Sequence, residues 1–179
     1  MKAALPLFLI LLASCREEPI VRVKSPKETP VAAAAGTAPA AVRGPRWKTP
    51  KGWKERGADG MRAATLLPPG GGVEVTVIAL PGDVGGELAN VNRWRGQIGL
   101  PPLEEAGLAE ARQTLRSRLG DVSLYEFTGG GTVKTRLAAG VLRLGDTTWF
   151  FKLMGPDAPA SAARPAFIEL LKGLHGDAL

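Results

Sequence analysis

One segment of the chain gathers most of the side chains that could bind a ligand. Residues 87–98 contain three amides, two arginines and one tryptophan. Amides and guanidinium groups form hydrogen bonds with carboxylates, phosphates, glycans and peptide backbone. The segment indicates binding chemistry, but it names neither a reaction nor a ligand.

The spacing of these residues predicts a helix with two different faces. At ~100° per residue, an apolar arc forms from every third or fourth position, while Asn90, Arg93 and Gln97 fall on the far side. We call Asn90, Arg93 and Gln97 the polar stripe and treat it as a possible binding site. Simple exposure to solvent is the alternative explanation for such a stripe. The apolar arc consists of Leu88, Val91, Trp94 and Ile98.

Two further residues of this segment are predicted to be structural. Trp94 lies within the apolar arc, which indicates a core residue rather than an exposed stacking platform. Arg95 falls close to the same arc. A bare buried charge is very costly, so its guanidinium must reach solvent or bind a carboxylate or backbone carbonyls.

The sequence offers little for catalysis or for metal binding. His175 is the only histidine, which argues against a Ser-His-Asp triad and against a histidine metal cluster. The loop at residues 82–86 lacks the Gly-Lys-Ser/Thr ending of a phosphate-binding loop. Neighbouring carboxylates such as Glu104 and Glu105 have the character of a helix surface. We expect no metal and no cofactor; enzymatic activity is left open, and a non-enzymatic role is favoured.

The first fourteen residues predict a secretory signal. Lys2 precedes an apolar run at residues 3–13 that is interrupted only by Pro6. As a helix this run would reach roughly 16 Å, about half of a ~30 Å hydrocarbon core, so it is too short to span a membrane.

The signal ends in Leu12-Ala13-Ser14, which precedes Cys15, the only cysteine of the chain. This sequence is similar to the lipobox of bacterial lipoproteins. The resemblance implies that the Cys15 thiol receives a diacylglycerol and that acyl chains anchor the protein in a membrane of the bacterial cell envelope, facing the periplasm. Arg16 slightly favours the outer membrane over the inner one.

The net charge of +6 is compatible with anionic lipid headgroups or cell-wall polymers. A nucleic acid is not an expected partner for a secreted lipoprotein. The expected partners are the membrane, through the N-terminal lipid, and either another envelope protein or a small ligand.

Composition divides the mature chain into a spacer and a domain. Residues 15–46 are rich in proline and alanine up to their last few positions, and such a segment buries too little surface to offset its ordering entropy. We predict a lipidated, disordered linker over residues 15–46, a globular domain over 47–175 and a short tail over 176–179.

Alternating and helical patterns within the domain predict an α+β fold with a mainly antiparallel sheet and helices packed on it. Gly120-Asp121 and Gly145-Asp146 are predicted hairpin turns. Residues 114–119 fit either a strand or a helix, and we favour the strand. The last helix carries Phe167, Leu170, Leu171 and Leu174, with Pro165 near its start. The other predicted strands lie at 53–55, 61–67, 73–80, 122–127, 136–144 and 147–154, and the other helices at 87–98 and 104–110.

Several features of the domain occur together: the Pro50-Lys51-Gly52-Trp53 entry, the strand at 73–80, the helix holding Asn92-Arg93-Trp94, the hairpins and the Phe167 helix. In this combination the domain resembles the PsbP-like α/β/α sandwich. Residues 89–97 and 149–153 are also similar to a group of uncharacterised bacterial envelope lipoproteins. The resemblance implies a non-enzymatic accessory or binding module for another envelope protein or ligand. The alternative is an envelope hydrolase acting on a cell-wall polymer.

Overall fold

The computed structural model describes residues 44–176. The predicted signal peptide, the lipidation site at Cys15, nearly all of the predicted linker and the last three residues lie outside the described residues.

Seven strands form one sheet in the order β1-β2-β3-β7-β6-β5-β4. Every pair of neighbours is antiparallel, which confirms the predicted α+β architecture. The strands are β1 Lys54–Arg56, β2 Arg62–Leu67, β3 Glu74–Pro81, β4 Gln113–Ser117, β5 Gly120–Thr128, β6 Thr135–Leu144 and β7 Thr147–Pro156.

The described residues form three α-helices: α1 Gly86–Gln97, α2 Glu105–Ala111 and α3 Asp157–Lys172. The prediction that Pro165 lies near the start of the last helix is wrong, because Pro165 lies inside α3. The missing amide hydrogen costs one helical bond. Burial of Ala160, Ala163 and Phe167 on one side of the helix offsets that loss and extends the helix back to Asp157.

Each face of the sheet carries its own hydrophobic core. The α3-side core includes Phe151 and Leu153 of β7 and Phe167 and Leu171 of α3. The α1-side core includes Phe150 of β7, Val91 and Trp94 of α1, Leu108 of α2, and Ile98 directly after α1. Alternation along β7 therefore places consecutive aromatic rings in opposite cores, as the sequence predicts for a strand covered on both sides.

Helix α3 approaches the sheet closely at Gly140 of β6. A Cβ atom at this position would lie 2.8 Å from both methyl groups of Leu171, whose side chain is fully buried. The absent side chain leaves a space on the strand that Leu171 fills.

The two hairpins differ in how well they were predicted. Gly145 and Asp146 form the predicted two-residue turn between β6 and β7, and Gly145 has φ +55°. The predicted turn at Gly120-Asp121 is wrong: β4 is a strand, but Arg118 and Leu119 connect it to β5.

A side chain and an apolar contact explain the shifted turn. Ser117 Oγ donates a hydrogen bond to the Gly120 carbonyl at 2.7 Å and accepts one from the Leu119 amide at 3.2 Å. Leu119 also packs against the α3-side core. Serine turn chemistry and apolar burial together move the turn two residues upstream.

The two ends of the described chain meet. The backbones of Arg46 and His175 exchange hydrogen bonds of 2.7 and 3.0 Å. Among residues 44–176, no helix is both long and apolar enough to cross a membrane.

Alanine at Gly145 should lower the free energy of unfolding by about 1 kcal/mol, because a side chain at positive φ is strained. Gly96 is the matched control, since it lies in α1 with open space around its absent Cβ. Gly96→Ala should raise stability by about 0.5–1 kcal/mol. Urea denaturation measures both variants, and a shift of the same sign for the two would contradict this account.

Candidate functional site

Helix α1 is fixed to the sheet through aromatic and backbone contacts. Trp94 is buried and meets the Phe150 ring edge-on at a centroid distance of 5.8 Å. At the other end of the helix, a Cβ on Gly129 would lie 2.1 Å from the Ile98 carbonyl oxygen. The absence of a side chain at Gly129 therefore allows the end of α1 to pack directly against the backbone at this position. These contacts set the direction in which the polar stripe points.

Asn90 does not share the exposure of the rest of the polar stripe, because it is only 4% exposed. Its Nδ2 donates to the Val84 carbonyl at 3.0 Å and to the Gly86 carbonyl at 2.7 Å. Val84 has φ +54°, an unfavourable conformation for a β-branched residue. The Asn90 amide therefore holds a strained connection between β3 and α1.

Arg93 and Gln97 are the exposed members of the stripe. The Arg93 guanidinium donates to Asn90 Oδ1 at 2.8 Å. Gln97 Oε1 accepts a bond of 2.8 Å from Lys152 Nζ on β7. The stripe thus runs from the start of α1 down to the sheet beside β7.

Arg95 acts within the fold. Its Nε donates to the Pro101 carbonyl at 2.8 Å, and its guanidinium lies 4.8 Å from the centre of the Phe127 ring. Asn92, on the same helix, forms two hydrogen bonds with the Leu103 backbone, of 2.7 and 2.9 Å. These two side chains attach the α1–α2 connection to the helix.

A polar cluster of Glu87, Arg112 and Tyr125 joins α1 to the strands below it. The fully buried Tyr125 donates its hydroxyl hydrogen to Glu87 at 2.7 Å and accepts a bond from Arg112 Nε at 2.8 Å. Glu87 and Arg112 also form an ion pair. Burial raises the pKa of Tyr125 to about 12, with the Arg112 bond opposing this rise and Glu87 adding to it.

A cleft of about 210 Å³ opens beside the start of α1, where Asp83 and Glu87 face Arg143, Thr148 and Phe150. Two carboxylates in a cleft suit a hydrolase. Here each carboxylate already has a cationic partner, because Arg143 lies 3.8 Å from Asp83 and Glu87 pairs with Arg112. Within residues 44–176, no cluster of histidine, cysteine and acidic residues is suited to hold a metal ion.

On the α1 side of the sheet, the part formed by β1, β2 and most of β3 is not covered by any helix of residues 44–176. β1 and β2 contribute no residue to the α1-side core, and β3 contributes only Leu80. Leu67 and Ile78 point to this side of the sheet yet belong to neither core. We call this surface the open face, and it consists of Lys54, Arg56, Arg62, Thr65, Leu67, Glu74, Thr76, Ile78 and Lys152.

The open face is positively charged and borders the polar stripe. Arg56, Thr65, Thr76 and Lys152 lie directly opposite one another on β1, β2, β3 and β7. Arg62 Nη2 forms a 3.6 Å ion pair with Glu74. Glu74 is the only acidic residue among the nine that define the face, whereas four of the nine are basic.

Sequence patterns alone did not single out the open face or the cluster around Tyr125. The row from Arg56 to Lys152 comes from strands that are far apart in the chain, and only the sheet order brings them together. Glu87 at the start of α1 and Tyr125 in the middle of a strand are ordinary positions in sequence. For Arg112, the one available signal was its position two residues after the predicted second helix.

No protein-family model and no curated protein sequence matches the chain. Among solved structures, it is similar to a cyanobacterial PsbP protein from Synechocystis, with 15% identity, a TM-score of 0.49, and coverage of 83% of this chain and 99% of that one. It is also similar to a Bacteroides thetaiotaomicron protein, with 12% identity and a TM-score of 0.46 over 74% of this chain. This chain spans only 44% of that protein's length.

A Pseudomonas aeruginosa protein of unknown function is similar as well, with 10% identity, a TM-score of 0.37, and coverage of 74% of this chain and 88% of that one. Similarities at this level carry no activity, ligand or partner over to this chain.

Tyrosinate absorbance should report directly on the polar cluster, because Tyr125 is the only tyrosine of the chain. We expect a pKa near 12. Because the folded state raises the pKa of this group, its stabilising contribution is complete below pH 10 and is lost as the pH rises through about 12.

Glu87→Gln should lower the pKa of Tyr125, because it replaces the negatively charged acceptor of the tyrosine hydroxyl with a neutral amide. Glu169→Gln, at an exposed position of α3 on the other side of the sheet, is the control and should leave the titration unchanged. A Tyr125 titration that is identical in the wild type and in Glu87→Gln would show that the cluster does not form in solution.

Proposed function

We propose that this protein is a membrane-anchored lipoprotein of the bacterial envelope, and that its domain is a non-enzymatic binding module for another envelope protein. The observation that carries the proposal is the open face together with Arg93 and Gln97 at its border. A polar, charged sheet surface that no helix of the described residues covers is suited to binding. Outer-membrane residence is slightly favoured over the inner membrane by Arg16.

The organisation of the chain supports tethered binding. The lipobox at residues 12–15 provides the anchor, and the proline- and alanine-rich residues that follow provide reach between the membrane and the domain. A tether raises the effective concentration of a binding module near partners in the same membrane. Modest affinity is then enough for stable association.

The cleft beside Asp83 and Glu87 favours a second candidate, a hydrolase acting on a cell-wall polymer. A general acid or a nucleophile must be free to transfer a proton or to attack. The ion pairs of both carboxylates speak against such a role. Soluble fragments released from purified cell wall, and lost in both Asp83→Asn and Glu87→Gln, would establish the hydrolase instead.

Arg93→Ala and Gln97→Ala should each reduce recovery of a partner severalfold when the full chain is purified from detergent-solubilised envelopes. Arg116→Ala is the control, because Arg116 is 85% exposed on the edge strand β4. Circular dichroism would verify that every variant is folded. Equal recovery with all three variants would remove the polar stripe from the binding surface.

Cys15→Ala should abolish incorporation of radiolabelled palmitate and release the protein from the membrane fraction, because the thiol is the predicted site of lipid attachment. Ser14→Ala keeps a small residue before the cysteine and should still be lipidated. Palmitate that still enters the Cys15→Ala chain would overturn the anchor.

A further inference from the structure

The two faces of the sheet are covered to different extents. On the α3 side, the helix packs on β4, β6 and β7, while Trp47 and Trp53 from the entry of the domain pack against the same core. On the other side, α1 and α2 cover β5, β6 and β7, and they cover β3 only at Leu80. Within residues 44–176, the open face is therefore a place where one layer of the sandwich is missing.

The size of the open face matches a single protein segment. Strands lie ~4.8 Å apart, so the row from β1 to β7 is roughly 14 Å wide. A helix with its side chains has a diameter of about 10–12 Å. One helix, or one extended segment, would fill the uncovered width beside α1.

The position of α1 argues against a flat membrane as the occupant. The Gln97–Lys152 bond and the Trp94–Phe150 contact place α1 directly on β7. Helix α1 therefore projects about one helix diameter above the open face along one of its edges. A planar bilayer resting on that helix would not reach the residues below, whereas a narrow segment would.

The charges on the face specify the chemistry of the segment. Four basic residues and one acidic residue lie on the face. Thr65 and Thr76 between them are buried, and Arg62 Nη1 donates a 3.5 Å hydrogen bond to the Thr65 hydroxyl, so the charged side chains form the accessible surface. Lys152 is the partly buried cation of this set: burial lowers its pKa, and Glu74 opposes that effect more strongly than Arg62 adds to it. Carboxylates brought by a partner would offset this excess of positive charge.

Apolar groups on the same surface indicate that the segment is not purely acidic. Leu67 and Ile78 are only partly buried and lack a place in either core. A helix with acidic residues on its flanks and a few aliphatic residues in between would cover both kinds of group.

We propose that the open face binds an acidic, amphipathic segment of a partner protein, which lies beside α1 and completes the layer of the sandwich. This inference rests on the proposed binding function and adds the location and the chemistry of the partner. The residues that carry it are the accessible cations Arg56, Arg62 and Lys152.

Fluorescence anisotropy of labelled poly-L-glutamate with the full chain in detergent tests the proposal. The Arg56→Gln/Lys152→Gln double variant should bind about tenfold more weakly, since two charge contacts are lost. The Arg116→Gln/Arg118→Gln double variant removes the same charge from the far edge of the sheet and should change the dissociation constant less than about twofold. Lys54→Gln/Arg56→Gln, at exposed positions of β1, repeats the test without altering a partly buried residue.

Equal weakening in the control double variant, or no binding by the wild-type chain, would overturn the proposal. So would sedimentation of the Cys15→Ala chain with phosphatidylglycerol vesicles that the open-face variants lose, since the face would then belong to a membrane. If the open-face double variants still recover a partner from envelopes, this inference alone is contradicted, and the proposed binding function is retained.

Discussion

The antiparallel pairing of β7 with β3 and β6 is the constraint on which the rest of the domain depends. β7 lies at the centre of the seven-stranded sheet, and its side chains alternate between the two cores. Phe151 meets Trp47 edge-on at 5.7 Å on one side, and Phe150 meets Trp94 at 5.8 Å on the other. A shift of β7 by one residue would exchange these rings between cores and detach both layers at once.

The same strand also connects the core with the candidate binding surface. Lys152 lies between Phe151 and Leu153 in sequence, but it points to the α1 side, where the cover of helices ends. It belongs both to the row of residues across the open face and to the foot of α1. A partner bound at the open face would therefore contact the strand that joins both cores. Because that strand is packed on both sides, it supports the face rigidly.

Much of the fold was predictable because short-range patterns and long-range packing agree. The Gly145-Asp146 turn, the alternation of residues 149–154 and the apolar arc of α1 all satisfy local geometry and burial together. Prediction failed where the two conflict. Pro165 is a local signal for the end of a helix, but burial of Ala163 and Phe167 outweighs it. Local preference favours a turn at Gly120, but burial of Leu119 places the β4–β5 turn at Arg118 and Leu119. Asn90 has a polar side chain at a helix position facing away from the apolar arc, yet it is buried because the strained Val84 connection needs its amide.

The sequence by itself determined the class of the fold and the helix that carries Arg93, Trp94 and Gln97, while the lipid anchor with its spacer stays a prediction. These features depend on residues that are close together in the chain, where periodicity and turn chemistry act directly. Only the tertiary structure decided which surfaces remain uncovered. Arg56, Thr65, Thr76 and Lys152 become neighbours through the strand order β1-β2-β3-β7, and that order results from the burial of two cores, which no local pattern in the chain specifies.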